Sequence, residues 1–371
     1  MASIPTNSDI FKLIEDLAPK TKAYDWDNVG LQIGNYQKQP KKIMITLDVI
    51  EAVVDEAIEN NVDLIIAHHP LFFKSLKRID TNTPEGRIIS KLIRHDITVY
   101  AAHTNLDVVE QGVNDILADK LDITERKPLI GLGSEKLYKY AVYVPQGHEH
   151  EIKEVLGRAG AGLQGNYSHC SFQVQGIGAF KPLTGAEPFI GKVDEFALVD
   201  EFKIEAIVPE SRLNRVIKQV MTAHPYEEPA FDIVELKNEG EAWGLGRVGK
   251  VAQEVTLQEY VVKVKEKLNL TDVRVVGDLN KKIKKAAIVG GSGEKYIHNA
   301  LRAGADVYIT GDLSFHPAQA AWQSGLAVID AGHYIEATMK DAICDYLQSK
   351  LGESNIDVLV SHVDTDPFKY L

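Results

Sequence analysis

The sequence predicts an α/β protein in which a two-lobed α/β domain, formed by the N- and C-terminal segments, is interrupted by a ferredoxin-like α+β insert. Three observations predict it. Strands and helices alternate at both ends of the chain, the middle third switches to strands of strict period two, and two stretches from opposite ends read as copies of one another. At 371 residues the chain exceeds what one hydrophobic core ordinarily supports. The expected divisions are residues 1–130 and 241–371 for the two halves of the first domain and 131–240 for the insert.

In the first segment, Asn7 or Ser8 can cap a helix whose apolar positions Ile10, Phe11, Leu13, Ile14 and Leu17 fall at helical spacing, with Pro19 ending it. Asn28 and Gly30 signal turns before a short strand. A strand over 42–48 precedes a helix over 51–60 that buries Val53, Val54, Ala57 and Ile58. The run Asp63-Leu-Ile-Ile-Ala-His68-His69-Pro70 is a buried strand that Pro70, having no N–H, must stop. Strand, helix, strand in this order make a parallel unit, and ligands of such sheets bind beyond the carboxyl ends of the strands. A helix over 87–95 and a strand from 97 repeat the arrangement and deliver His103 and Asp107 to a second carboxyl end.

From about Gly131 the character changes. Strands over 137–144 and 171–178 enclose a helix over 149–159; strands over 195–199 and 202–208 follow, then a helix over 211–223 and a strand over 230–236. Strand, helix, strand, twice over, is the split ferredoxin-like pattern. His148, His150, His169 and His224 show no ligand-like clustering with carboxylates beyond His224-Pro-Tyr-Glu-Glu228, and read as structural or interface residues.

The final segment returns to the first pattern. A strand over 285–290 runs into Gly291-Ser-Gly293 and a helix over 296–303; such a turn can cradle an anion, though it also wants glycine for geometry alone. A strand over 305–312, a helix over 317–324 and a strand from 326 lead to His333 and Glu336. Asp63 to His69 aligns with Asp306-Val-Tyr-Ile-Thr-Gly-Asp312, and Val99-Tyr-Ala-Ala-His103 aligns with Ile329-Asp-Ala-Gly-His333. Each half would supply two strand ends to a shared cleft.

The residues at those ends carry the chemistry. His68 and His69 are either metal ligands or a hydrogen-bonded pair at a strand end, and they can serve one site only if the chain has turned at His69. Asp107 taken alone caps a helix beginning near Gly112. His333 and Glu336 stand three residues apart at the start of a helix through Met339, Ile343 and Leu347, hence on one face. Together His68, His69, Asp107, His333 and Glu336 form a mixed nitrogen and oxygen set suited to Zn, Fe, Mn, Co or Ni rather than Ca. With a bridging carboxylate such a set can hold two divalent cations, about 3.5 to 4 Å apart in hydrolases.

These stretches, Trp26-Asp-Asn-Val-Gly-Leu-Gln, His68-His69-Pro70-Leu-Phe-Phe, Ala102-His-Thr-Asn-Leu-Asp107, Gly311-Asp and Gly332-His333-Tyr-Ile-Glu336, resemble the NGG-one-interacting-factor-like family, whose members carry the name GTP cyclohydrolase 1 type 2 homologue. The insert is similar to the PII-like and CutA-like middle domain of the long bacterial members, through Phe180-Lys-Pro-Leu-Thr-Gly-Ala-Glu-Pro-Phe-Ile-Gly191 and His224-Pro-Tyr-Glu-Glu-Pro229. The resemblance implies a dinuclear site at His68, His69, Asp107, His333 and Glu336 with His103 beside it, and a toroidal homohexamer whose sites face an internal cavity. Some short members space the last His and Glu one residue wider, whereas position 337 here is Ala.

The expected function is a metal-dependent hydrolase using two divalent cations per subunit, Zn foremost and Fe, Mn, Co or Ni as alternatives. A metal-bound water attacks a nucleotide or phosphate-bearing small molecule, and His103 orients or shuttles protons. The family name implies opening of the GTP imidazole ring, yet no P-loop fixes a triphosphate. The alternative is a non-catalytic metal-binding regulator or scaffold with a ligand- or partner-sensing insert. A formal charge of −12 and a pI near 5.5 disfavour nucleic acid as a partner. The two cysteines, Cys170 and Cys344, lie far apart and suit a reducing compartment. A start without a basic and apolar leader, and the lack of a spanning apolar run, point to a cytoplasmic protein without a membrane partner.

Overall fold

A computed structural model describes residues 4–352 and 354–369. The chain divides into two compact units, Met1–Leu132 with Trp243–Leu371, and Gly133–Ala242. Among the described residues no helix is long and apolar enough to cross a membrane.

The first unit begins with helix α1 (Asn7–Leu17). Thr6, rather than Asn7 or Ser8, caps it: Thr6 Oγ1 accepts from Asp9 N while Asp9 Oδ2 accepts from Thr6 N, a capping box. Asn7 is buried instead, its amide donating to Asn35 O at 2.7 Å and Thr98 Oγ1 at 3.1 Å. Strands β1 (Gly30–Ile33) and β2 (Lys42–Thr46), helix α2 (Glu51–Glu59), strand β3 (Leu64–Ala67), helix α3 (Pro84–Arg94) and strand β4 (Thr98–Ala101) follow. Short helices α4 (Thr104–Val108) and α5 (Val113–Lys120) lead into strand β5 (Ile123–Pro145).

The second unit continues with α6 (Glu149–Ala159), β6 (Phe172–Phe180), β7 (Ala197–Pro209), α7 (Glu210–Ala223) and β8 (Phe231–Thr256). The first unit then resumes with α8 (Leu257–Leu268), β9 (Arg274–Val276), β10 (Lys282–Ser292), α9 (Ile297–Arg302), β11 (Val307–Gly311), α10 (Phe315–Gln323) and β12 (Ala327–Asp330). A 3₁₀ turn (His333–Thr338), α11 (Met339–Leu351) and β13 (Asp357–Val360) complete it.

Within the first unit, one sheet has the order β1-β4-β3-β2-β13 and the other runs β8-β10-β11-β12-β9. The neighbours β2, β3 and β4 are parallel, as are β10, β11 and β12. Antiparallel β1 flanks β4 and antiparallel β9 flanks β12. The first sheet is buried on both faces, which explains its unbroken apolar runs: Ile43, Ile45, Leu64 and Ile66 join one core, and Met44, Ile65 and Val99 join Val53, Val54, Ala57 and Leu92 in another. The aligned segments occupy matching places. Asp63 Oδ2 accepts from the backbone N–H of Lys41 and Lys42 (2.8 and 3.2 Å), and Asp306 Oδ2 accepts from those of Lys284 and Lys285 (2.9 Å each).

In the second unit β6 and β5 both pair antiparallel with β7, in the order β6-β7-β5-β8. The two strands expected over 195–199 and 202–208 are one, because pairing with β6 runs unbroken from Ala197 through Asp200 and Glu201 to Glu205, and pairing with β5 runs on from Glu201. Tyr140, Val142 and Val144 of β5 and Ile204, Ala206 and Val208 of β7 pack against Ile152 and Leu156 of α6 and Val216 and Val220 of α7.

Candidate metal centre

The site grows from the carboxyl ends of β3, β4 and β12 within the first unit. His68 and His69 follow β3 directly, and their backbone N–H groups still bond to Thr46 O (3.1 Å) and Leu47 O (2.9 Å). Their rings lie only 5.1 Å apart, centre to centre, so the turn the sequence required does occur before Pro70. His103, two residues beyond β4, has its ring 5.2 Å from that of His68 and 5.5 Å from that of His69. Asp107 lies inside α4, and Gly112 precedes α5, so Asp107 is no cap for that helix. The buried Asn114 amide donates to Asp107 O at 3.0 Å and its carbonyl accepts from Gly290 N at 2.9 Å, which ties α4 to β10.

His333 and Glu336 come from the second sheet's side. The expected α-helix begins as a 3₁₀ turn, in which side chains three apart eclipse one another. His333 Nε2 accordingly stands 3.2 Å from Glu336 Oε2. The same oxygen is 3.2 Å from His69 Nε2 and 3.9 Å from His68 Nε2, while His68 Nε2 is 3.5 Å from Asp107 Oδ1. Three overlapping groups have ligating atoms within 4.8 Å of one another: His68, His69 and His103; His69, His333 and Glu336; and His68, Asp107 and Glu336. All six residues singled out in the sequence are thus brought together.

Four residues the sequence reading missed hold the imidazoles in place. His68 Nδ1 donates to Ala102 O (2.9 Å), His69 Nδ1 to Asp48 Oδ1 (2.7 Å), His103 Nδ1 to Asp27 Oδ1 (2.9 Å) and His333 Nδ1 to Asp312 Oδ2 (2.7 Å). Thr365 Oγ1 in turn donates to Asp48 Oδ2. A carbonyl can only accept, so His68 carries its proton on Nδ1 and offers a lone pair at Nε2. Signals for these partners existed: Asp48 ends β2 as His68 ends β3, Asp312 occupies the place of His69 in the second copy, and Asp27 sits in the Trp26-Asp-Asn turn.

Electrostatics sharpen the arrangement. Burial pushes His68 down to about 3, against the pull of Glu336, so this ring is neutral. Burial also opposes charge on His69, yet the bonds to Asp48 and Glu336 outweigh it and raise the group to about 10. His333 is raised to about 9 by its bond to Glu336, with burial opposing and Asp312 adding. Burial, then the neighbouring Glu336 charge, drives Asp107 well above the usual carboxylate range. Burial would do the same to Glu336, but the bonds from His333 and His69 bring it below that range.

A cation fits these residues on a specific observation: His68 Nε2 and Asp107 Oδ1 are both buried without a hydrogen-bond partner. A lone pair and a carboxylate oxygen left unsatisfied, side by side, are costly unless a positive charge lies between them. Beside His69 and His333 opens a cavity of about 730 Å³, walled by Ile50, Tyr334 and Phe368 and carrying Asp48, Asp312, Asp330 and Asp366 against Arg274 and Lys369. Arg274 is committed to Asp330. The exposed rings of Trp26 and Phe73 stand 6.0 and 5.8 Å from that of His103.

Gly291 marks how closely the second sheet approaches the cluster. Its φ is +63°, and a Cβ there would meet Glu336 Oε1 at 2.5 Å. The glycine near the end of β10 therefore answers a need of geometry.

The chain matches the family Duf34/NIF3 (NGG1p interacting factor 3) over residues 5–367. It is 49% identical to the GTP cyclohydrolase 1 type 2 homolog of Bacillus subtilis, with 100% of both chains covered. Identity to the protein of the same name from Halalkalibacterium halodurans is 45%, over 99% of this chain and 100% of that one. Among solved structures, the Bacillus cereus protein related to NIF3 superposes with a TM-score of 0.94 at 44% identity over 100% of both chains. Staphylococcus aureus protein SA1388 gives a TM-score of 0.74 at 36% identity over 99% of both. With its two sheets, its His/Asp/Glu cluster and full-length relatives that share its length, this chain belongs to the Duf34/NIF3 (NGG1p interacting factor 3) family.

Proposed function

We propose that the cluster is a dinuclear centre that hydrolyses a nucleotide or another phosphate-bearing small molecule. His68, His69, Asp107, His333 and Glu336 would hold two divalent cations per subunit, Zn foremost, with Fe, Mn, Co or Ni serving the same donors. The observation that carries the reading is the pair of buried, unpartnered atoms His68 Nε2 and Asp107 Oδ1 beside a carboxylate, Glu336, that faces three imidazoles. Bound there, divalent cations supply Lewis-acid polarisation of a substrate oxygen and a water acidified to near neutrality. The chain's own residues do the rest. Asp48, Asp312 and the Ala102 carbonyl fix the imidazole tautomers, and Asp27 holds His103 with its Nε2 toward the cluster, where it can accept and return a proton.

The adjoining cavity supports a small substrate. Its four aspartates against two cations give no cradle for a bare triphosphate, so a phosphate would have to be met at the metal side, leaving Tyr334 and Phe368 to face an organic ring. GTP is the named possibility because curated relatives are called GTP cyclohydrolase 1 type 2 homologs. Metal-loaded protein, with His68→Ala and Glu336→Ala, is to be assayed against nucleotides and phosphoesters. Metal-dependent turnover lost in both variants supports hydrolysis; turnover that is absent, or that survives both substitutions, sinks it.

Two finer features belong to the same reading. The insert is a ferredoxin-like, PII/CutA-like domain interrupting a two-lobed metal-binding domain, supported by the order β6-β7-β5-β8 with α6 and α7 on one face of the sheet. The protein works in the cytoplasm as a toroidal homohexamer. Exposed Phe172, Val174, Ile177, Phe196 and Leu198 on the insert support self-association, which sedimentation equilibrium tests.

A further inference from the structure

The second unit holds a cavity of about 580 Å³ that the metal centre does not use. Its floor is Glu201, on β7, only 8% exposed. Glu201 Oε1 accepts from the Tyr226 hydroxyl at 2.8 Å. Burial, and then this bond to a carboxylate, raises the Tyr226 hydroxyl well above its ordinary range, which keeps it a donor. Oε2 lies against the backbone of β6, where a Cβ on Gly178 would stand 2.1 Å away, and among the described residues Glu201 takes its side-chain hydrogen bond at Oε1, from Tyr226. Glycine at 178 is what lets the carboxylate lie there.

Aromatic rings surround this carboxylate. Tyr226 sits 6.0 Å from Phe180 and 6.3 Å from Phe189, centre to centre, in edge-on and tilted arrangements. Glu227 and Glu228 add negative charge at the rim, and the single lysine of the lining, Lys181, is paired with Asp194. A carboxylate that is largely buried yet lines the cavity with one oxygen unbonded by protein, among ring faces of negative potential, is complementary to a cation. That cation is not a bare metal ion: among the described residues no three ligating atoms cluster here as they do at His68.

We infer that this cavity binds a small organic ammonium ion, with its charged nitrogen at Glu201 Oε2 and its carbon skeleton between Phe180, Phe189 and Tyr226. The site is independent of the hydrolytic reading and stands or falls without it. Titration calorimetry of the full chain with 2-phenylethylammonium, neutral 2-phenylethanol and anionic phenylacetate tests it. The ammonium binds about tenfold or more tightly than the alcohol, and the carboxylate does not bind. Glu201→Gln, which still accepts from Tyr226, brings the ammonium to the level of the alcohol. Phe189→Ala, at an exposed position, weakens both ligands. If Glu201→Gln does not fold by circular dichroism, the three-ligand series and Phe189→Ala decide. Failure of the ammonium to bind at millimolar concentration, equal affinity for ammonium and alcohol, unchanged binding in folded Glu201→Gln, or unchanged binding in Phe189→Ala overturns the inference.

Discussion

Glu336 and His69, 267 positions apart in the chain, meet at 3.2 Å between Oε2 and Nε2. Glu336 Oε2 also stands 3.2 Å from His333 Nε2 and 3.9 Å from His68 Nε2, so its loss leaves three imidazoles without their common counter-charge. Glu336→Ala is expected to abolish tight metal retention, as read by elemental analysis of protein passed over a chelating resin. A variant that keeps its full metal content would remove Glu336 from the candidate ligands.

Asp48 bonds to the cluster through His69, and Thr365 in turn bonds to Asp48. Asp48→Ala is therefore expected to weaken metal affinity about 10- to 100-fold, with Thr365→Ala smaller in the same direction. Competition against a chromophoric chelator measures both. Equal affinities in all three proteins would mean that the orientation of His69 is set elsewhere.

Metal uptake should release protons. His69 and His333, raised to about 10 and about 9, both hold a proton at neutral pH in the metal-free protein and must yield it to coordinate. Calorimetry at pH 7 in buffers of differing ionisation enthalpy should register about two protons from these imidazoles per loaded subunit, to which any proton held by Asp107 adds, with affinity climbing as pH rises toward 9. In the metal-free protein the sign is opposite. These raised groups contribute stability that is whole below the unfolded value of 6.5 and is lost as pH climbs through about 9 and about 10.

Gly291 offers a gentler probe of the same cluster. Gly291→Ala places a methyl 2.5 Å from Glu336 Oε1 on a backbone of positive φ, and should lower both metal affinity and melting temperature, whereas an alanine at the open Gly304 touches nothing. Since Gly304 shares the positive φ, the difference between the two variants isolates the contact with Glu336 from backbone strain.

How much of this was legible in the sequence follows from where the information sits. The site residues announced themselves because they stand at or just beyond the ends of strands in recognisable apolar runs, and because Asp63 and Asp306 open runs that take the same backbone bonds in the two sheets. Their partners Asp27, Asp48 and Asp312 stood in recognisable places without being singled out, since a lone Asp in a loop has many ordinary uses, and Thr365 carried no signal of its own. Strand β13 and the merger of two predicted strands into β7 were also out of reach: both depend on pairing across the sheet, and local periodicity does not encode partners. Thr6 won the cap from Asn7 because Asn7 had buried work to do at Thr98.

Arg247 anchors the wall behind the site. Its guanidinium binds Asp115 twice at 2.7 Å and reaches the carbonyls of Val109, Gly244 and Gly246, with both side chains almost fully buried. Arg247→Ala takes the donor from three carbonyls and leaves Asp115 to Arg126, at 2.7 Å, and to the Gln111 N–H, and should cost about 3 kcal/mol in urea unfolding. Arg247→Lys should recover only part, because a point charge cannot reproduce the two parallel bonds.

Strand β13 lies beside β2 in parallel, with Asp357 opposite Lys42 and Val360 opposite Ile45. As the polypeptide emerges from the ribosome, its earliest-made sheet must therefore wait with one flank open until Asp357–Val360 arrive, and His333 and Glu336 arrive scarcely sooner. A nascent chain that stops short of Glu336 thus lacks the full donor set, so an ion would find its complete set of ligands only once that segment has been made and packed.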